Sequence, residues 1–210
     1  MHRHFLISTN WLLATLAIIL LTSCSESEEI GEYHDWKERN QHFIDSIANE
    51  AAINADGNWL VLKDFTIGDS SELYLNQPNY FVYAKRVKDG EGTYSPLYND
   101  SVRVHYSGRL MPTPQHPQGF NFDKSYSTST LNEETDVPTL FCVNQLTLGF
   151  ATTLMHMNEG DRWIVYIPYT LGYGTSDYTS STIPAYSTLI FDIMLARVYR
   201  YGIDTDTSWH

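Results

Sequence analysis

Side chains able to do chemistry are few in kind along this 210-residue chain: two cysteines, eight histidines, and an aromatic fraction of 14%. Two cysteines, Cys24 and Cys142, exclude a disulfide-dense scaffold and a zinc site built from thiolates alone. The histidines show no H-E-x-x-H run and no paired spacing on a helical segment, so no metal centre is expected. Gly172-Tyr173-Gly174 is not a phosphate loop, because Pro168 precedes it and no helical pattern follows. With Asp+Glu 25 against Lys+Arg 13, a formal charge of −12 lacks the cationic surface that displaces counterions from nucleic acid. No nucleic-acid partner and no cofactor are therefore expected. What remains is one thiol in a specific setting and a body rich in aromatic side chains.

That thiol is Cys24. Met1-His2-Arg3-His4 leans basic, and residues 11–21 are almost uninterrupted apolar sequence. Leu21-Thr22-Ser23-Cys24 and the acidic run Ser25-Glu26-Ser27-Glu28-Glu29 follow. The apolar run is shorter than the ~20 residues of a bilayer span and suits the core of a signal peptide. Leucine, two small residues and then cysteine resemble a bacterial lipobox, in which the sulfur carries diacylglycerol and the small residues admit a peptidase. An ordinary signal peptide with a chance cysteine, or a single-pass anchor, is the competing reading. The lipoprotein reading makes residues 1–23 the signal peptide, Cys24 the lipidation site and residues 24–34 an acidic tether. Several acyl chains, at ~0.8 kcal/mol per buried methylene, then hold the protein on a membrane. The acidic run resembles a surface-export signal of Bacteroidetes lipoproteins; its plainer reading is a solvated tether. The expected location is the bacterial cell envelope, as an outer-membrane lipoprotein facing the periplasm or the exterior. Cys142, without a partner in the mature chain, is read as a small buried hydrophobe.

The elements that must position any site follow from periodicity. Asp35-Trp36-Lys37-Glu38 reads as a capped helix start, with Asp35 as N-cap and Glu38 three residues on. Trp36, Asn40, Phe43, Ile44, Ile47, Ala48 and Ala51 keep helical spacing, and Gly57 gives a stop. This stripe, apolar apart from Asn40, suits either packing on its own domain or a homodimer contact through Trp36, Phe43 and Ile47. Residues 59–65 and 80–87 are strand-like, separated by a loop containing Gly68, Asp69, Ser70, Ser71, Asn76 and Pro78. Val102, Val104 and Tyr106 alternate with Arg103 and His105, placing His105 on the opposite face. Trp163, Val165 and Ile167 alternate likewise, as do Leu189, Phe191, Ile193 and Leu195. Residues 150–157 form a short helical stretch stopped at Gly160. One short helix among antiparallel strands makes an α+β domain, with the helix on one face of a curved sheet.

Within this frame specific blocks stand in order. Residues 102–110, reading Val-Arg-Val-His-Tyr-Ser-Gly-Arg-Leu, resemble the VxVHYxGxL strand of FKBP-type peptidyl-prolyl isomerases. Phe122-Asp123-Lys124-Ser125 resembles their FDxS. Gly149, Met157, Gly160-Asp161 and Trp163 resemble the family positions around the helix. Residues 167–174 match IPxxLxYG, and Ile183-Pro184 with residues 187–193 match IPxxStLiFdI. The resemblance covers about residues 80–200. It implies an FKBP-like fold, a five- to six-stranded antiparallel sheet wrapped around a short helix, here with an N-terminal helical extension. The domain plan is then 35–78 helix and strand extension, 79–201 isomerase domain and 202–210 tail.

The resemblance further implies an apolar cleft lined by Tyr106, Phe122, Asp123, Phe150, Tyr173, Ile183 and Phe191. Leu146 and Thr147 stand on the loop entering the helix, where backbone would hold a peptide. Tyr106, Asp123, Tyr173 and Phe191 are the expected catalytic set; Phe122, Leu146, Thr147, Phe150 and Ile183 are the expected substrate contacts. Without the resemblance, Phe191 and Ile183 read as ordinary core and Phe122 as a loop anchor. The implied reaction is rotation of Xaa–Pro bonds in proline-containing polypeptides, which needs no nucleophile or metal because no covalent bond is cut. The alternative is an FKBP-fold chaperone or assembly module with little or no turnover. Three departures matter. Phe150 stands where many relatives carry tryptophan, Thr139 where some carry an aromatic wall. Residues 111–121 form a longer loop than usual, which is expected to shade the cleft or touch a client.

Overall fold

The computed structural model describes residues 31–67 and 77–203. Cys24, the segment read as a signal peptide, the expected tether through residue 30, the loop residues 68–76 and the expected tail from 204 lie outside the described residues. The compact unit begins at Glu32.

Its elements are helix α1 (Trp36–Ile53), strands β1 (Trp59–Lys63), β2 (Phe81–Lys88), β3 (Ser101–Leu110), β4 (Asn121–Lys124) and β5 (Thr139–Cys142), helix α2 (Leu148–Leu154), and strands β6 (Arg162–Ile167) and β7 (Leu189–Tyr199). The strands form one seven-stranded antiparallel sheet in the order β1-β2-β6-β7-β3-β4, with β5 on the first half of β3. Six of these strands, β2 to β7, fall within residues 80–200, in line with the expected five to six, and β1 precedes them. β1 pairs with β2 along residues 59–63, extending the sheet beyond the core domain.

Alternation decides which side chains meet. Val102, Val104 and Tyr106 of β3 lie beside Val198, Leu195 and Ile193 of β7 and face inward with Val82, Ala84, Val165 and Leu189. Helix α2 covers that inner face through buried Phe150, Ala151 and Leu154. It runs from Leu148 to Leu154 rather than 150–157, and its last carbonyls are taken by a turn well before Gly160. Gly160 serves another purpose: its φ is +92°, and a Cβ there would stand 2.9 Å from Gly90 Cα.

The outer face is closed by α1. Ile44, Ile47 and Ala51 pack on Trp59 and Tyr83, with Phe43, Phe81 and Tyr166 around them. Most of the stripe is thus buried within the chain, with Phe43 and Ala48 half-buried. Of the expected dimer contacts, Trp36 and Ile47 are 6% and 7% exposed. The expected capping box is absent: Asp35 has φ +50°, makes no side-chain cap bond and pairs with His34 at 3.0 Å. The helix ends on Asn54 at φ +45° rather than at Gly57, which lies one turn further on. Further along the outer face, Arg162 grips Asp192 with two hydrogen bonds of 2.9 and 2.7 Å. His105 is buried on the side opposite Tyr106, and burial pushes its pKa down, keeping the imidazole neutral.

The long loop after β3 turns back on itself instead of hanging free. Thr113 Oγ1 donates to Glu32 Oε1 at 2.6 Å, and His116 Nδ1 stands 2.8 Å from the same oxygen. Thr113 and His116 hold the Glu32 carboxyl below its usual range. Glu32, within the segment read as a tether, is therefore docked on the loop. Among the described residues, no helix is long and apolar enough to cross a membrane.

Candidate active site

β3 and β7 lie side by side, so Tyr106 pairs with Ile193 and Gly108 with Phe191. β4 then brings Asp123 opposite Gly108 on the other edge of β3. This register builds the site. The Tyr106 hydroxyl donates to Asp123 Oδ2 at 2.8 Å. Asp123 itself is exposed, whereas Tyr106 is buried to 8% exposure. Burial pushes the Tyr106 phenol well above its usual pKa, and the bond to Asp123 adds to the shift. It is a permanent donor at neutral pH.

Around this pair the aromatic rings interlock edge to face. Phe150 from α2 meets Phe191 at 5.0 Å and 86°, and Phe122 meets Phe191 at 5.6 Å and 88°. Tyr106 stands at 90° to Phe150, centroids 6.2 Å apart. Such pairs satisfy the ring quadrupoles and stabilise by ~0.5–1.5 kcal/mol beyond area burial. Gly108 makes the meeting possible, since a Cβ there would lie 2.5 Å from Phe191 Cε1 and 2.7 Å from the Phe122 ring. Five expected residues, Tyr106, Phe122, Asp123, Phe150 and Phe191, are thereby gathered into one cluster.

The others sit around it. Burial pushes the Tyr173 phenol pKa up, with smaller contributions from Tyr178 and the Asp123 carboxylate. Its ring stacks on Tyr178 at 4.3 Å and 19°. Ile183 is 1% exposed within the main apolar cluster, and its backbone exchanges two hydrogen bonds with Tyr178. Leu146 is half-buried, its N–H given to Val143. The Thr147 carbonyl accepts the Ala151 N–H as α2 begins.

Two members escaped sequence reasoning. Phe141 packs on Tyr106 at 5.6 Å and on Phe150 at 6.4 Å, supplying an aromatic wall two residues from Thr139. Tyr178 forms the platform beside Tyr173. Phe141 was detectable: it shares a strand face with Thr139, where the aromatic wall was sought. Tyr178 carried no periodic signal. Among the described residues, no group of three or more His, Cys, Asp or Glu is gathered as metal ligands.

Residues 92–196 match the family model of the FKBP-type peptidyl-prolyl cis-trans isomerases, half of the chain. The chain belongs to the FKBP family. The macrophage infectivity potentiator of Trypanosoma cruzi is 37% identical over 114 residues, covering 54% of this chain and 51% of that protein. The FKBP-type 22 kDa peptidyl-prolyl cis-trans isomerase of Escherichia coli K12 is 33% identical over 112 residues, covering 53% of this chain and 47% of that protein. The chain thus spans about half the length of these curated relatives. A crystal structure of a peptidyl-prolyl isomerase from Pseudomonas syringae superposes with a TM-score of 0.53 at 22% identity, over 78% of this chain and 96% of that one. The likeness shows that the fold is shared. The matched FKBP segment contains every residue of the aromatic cluster and begins after β2, leaving α1 and β1 outside it.

Proposed function

We propose that this FKBP-family chain is a peptidyl-prolyl cis-trans isomerase acting on proline-containing polypeptides. The observation that carries this reading is the Tyr106–Asp123 pair, 2.8 Å apart, set against the packed rings of Phe122, Phe141, Phe150 and Phe191. Rotation about Xaa–Pro meets a barrier of ~18–20 kcal/mol because the planar amide is conjugated. A twisted amide has lost conjugation and charge separation, so a water-poor aromatic cleft binds it better than the planar form. That difference is what lowers the barrier. In this reading Phe150 is the floor and Phe122, Phe191 and Ile183 are walls gripping the proline ring. The neutral Tyr106 phenol turns from Asp123 to donate its one hydrogen to a substrate carbonyl, and the Asp123 carboxylate then orients the twisted group. Tyr173 offers a second phenol, and backbone at Leu146 and Thr147 holds the peptide strand. No proton is removed from substrate, so Asp123 is not a general base.

A second reading, a client-binding module of the same fold, draws on the closeness of the packing: Phe150 and Phe191 are each 5% exposed. A protease-coupled tetrapeptide assay separates the two. Catalysed isomerisation that falls in Asp123→Ala and Phe191→Ala is expected; a rate equal to the uncatalysed one would overturn the enzyme reading.

Cys24 is proposed as the lipid anchor of an outer-membrane protein, supported by the Leu21-Thr22-Ser23-Cys24 motif. Palmitate labelling lost in Cys24→Ala is the expected result, and labelling that persists would refute it. Protease shaving of intact cells then separates a periplasmic from a surface orientation.

A further inference from the structure

We infer that helix α1 is a positioning element for the cleft, acting through Trp36 and Asn40 on the segment 183–188; the inference rests on the isomerase reading above. Three observations converge on that segment, which joins Ile183 to the strand carrying Phe191.

The first is a relay of hydrogen bonds. Trp36 Nε1 donates to Ser187 Oγ at 2.9 Å, and Ser187 Oγ donates to the Pro184 carbonyl at 2.6 Å. A residue of α1 thereby reaches the backbone immediately after Ile183. The second is Asn40, which interrupts the apolar stripe of the helix. It is 1% exposed and uses both ends of its amide: Nδ2 donates to the Trp36 carbonyl at 2.8 Å, and Oδ1 accepts the Thr188 N–H at 2.7 Å. Apolar packing alone calls for no asparagine there; a buried backbone donor does. The third is Tyr186, a non-glycine residue at φ +63°. Its ring is held against Tyr169 at 5.1 Å, with Lys37 Nζ of α1 over it at 4.8 Å. Its N–H is bound by the Gly174 carbonyl, next to Tyr173. A bulky side chain in left-handed backbone persists only where its surroundings over-determine it.

Trp36 and Asn40 touch no substrate in this scheme. They hold the wall from which Ile183, Tyr173 and Phe191 meet it. The family match does not include α1, so the brace lies outside the matched FKBP segment.

The test uses the full chain and three variants. Trp36→Phe removes one donor while keeping most of the ring, and Asn40→Leu removes the acceptor of Thr188. Ile47→Ala loosens the same helix from the outer face without touching the relay. Exchange NMR on a prolyl peptide separates kcat from KM. The expected result is a fall in kcat/KM of about tenfold for Trp36→Phe and Asn40→Leu, carried mainly by kcat, with Ile47→Ala within about twofold of wild type. Adding Ser187→Ala to Trp36→Phe should cause little further loss, because both break one relay. Activity that follows thermal stability alike in all three variants would overturn the inference and leave the isomerase reading standing. A wild-type chain without turnover would overturn the isomerase reading instead. The brace is then read from amide exchange at Tyr186 and Thr188. Faster exchange in Trp36→Phe but not Ile47→Ala supports it, and equal exchange in both refutes it.

Discussion

Two buried tyrosines, Tyr83 and Tyr106, face opposite sides of the same sheet and differ in what their hydroxyls hold. Tyr83 lies under α1 and donates to the Pro78 carbonyl at 3.1 Å. Tyr106 lies under α2 and donates to the carboxylate of exposed Asp123. Burial drives both phenols upward, Tyr83 to about 12, so both are neutral donors. One partner is backbone fixed by a turn. The other is a side chain at the solvent boundary, which under the proposed function lets the Tyr106 hydroxyl turn toward an incoming carbonyl. Burial and a raised pKa therefore do not distinguish the two phenols; the kind and exposure of their partners do.

The largest expected effect comes from emptying each face of one ring. Phe191→Ala on the inner face and Trp59→Ala on the outer face should each cost ~3–5 kcal/mol of stability in denaturant titrations. The faces should then part company. Isomerase activity of the folded protein should collapse in Phe191→Ala and stay near wild type in Trp59→Ala. Equal loss in both would mean that the sheet, not one face, sets activity.

Gly108→Ala probes the inner face by overfilling it. The new methyl must displace Phe191 or Phe122, at ~1–3 kcal/mol. Turnover should fall more than stability does. An unchanged rate would show that ring placement is not limiting.

The tyrosine pair itself gives a smaller effect. Tyr106→Phe and Tyr83→Phe should each cost ~0.5–1.5 kcal/mol, the net value of a buried hydrogen bond. Only Tyr106→Phe should lower kcat/KM, by about tenfold if the phenol contributes ~1.4 kcal/mol in the transition state. Equal rates in the two variants would erase the distinction between the faces.

The inner face was more legible in the sequence than the outer for a physical reason. Val102, Val104 and Tyr106 declare their face by period-two alternation, and Phe122, Asp123 and Phe191 follow from ordered motifs. The contacts of α1 lie far from it in sequence. Asn40 and Thr188 are separated by 148 positions, and no local pattern joins them. The signal present was the anomaly itself, an amide inside an apolar stripe. Asp35 misled for the opposite reason. Its type suits an N-cap, but its left-handed backbone turns the carboxylate toward His34 instead.

The smallest effect concerns the tie between the two faces. Glu32, just ahead of α1, holds the loop that leads from β3 into Phe122 and Asp123 on β4. Its pKa is lowered by the Thr113 bond first and His116 second. A carboxyl lowered on folding contributes stability that is present above its unfolded pKa and lost as pH falls through its folded value. Glu32→Gln should therefore cost only ~0.2–1 kcal/mol at neutral pH, as for other partly exposed pairs. The gap between variant and wild type should close below about pH 4, near the intrinsic carboxylate range. Thermal melts across that range check the sign, since a gap that widens on acidification would assign the stabilisation to a different group. Because Glu32 touches neither ring cluster, kcat/KM at neutral pH should be unaffected by the change. If turnover drops along with the melting temperature, the loop carrying Asp123 depends on its anchor. The two faces of the sheet would then be coupled through Glu32 as well as through α1.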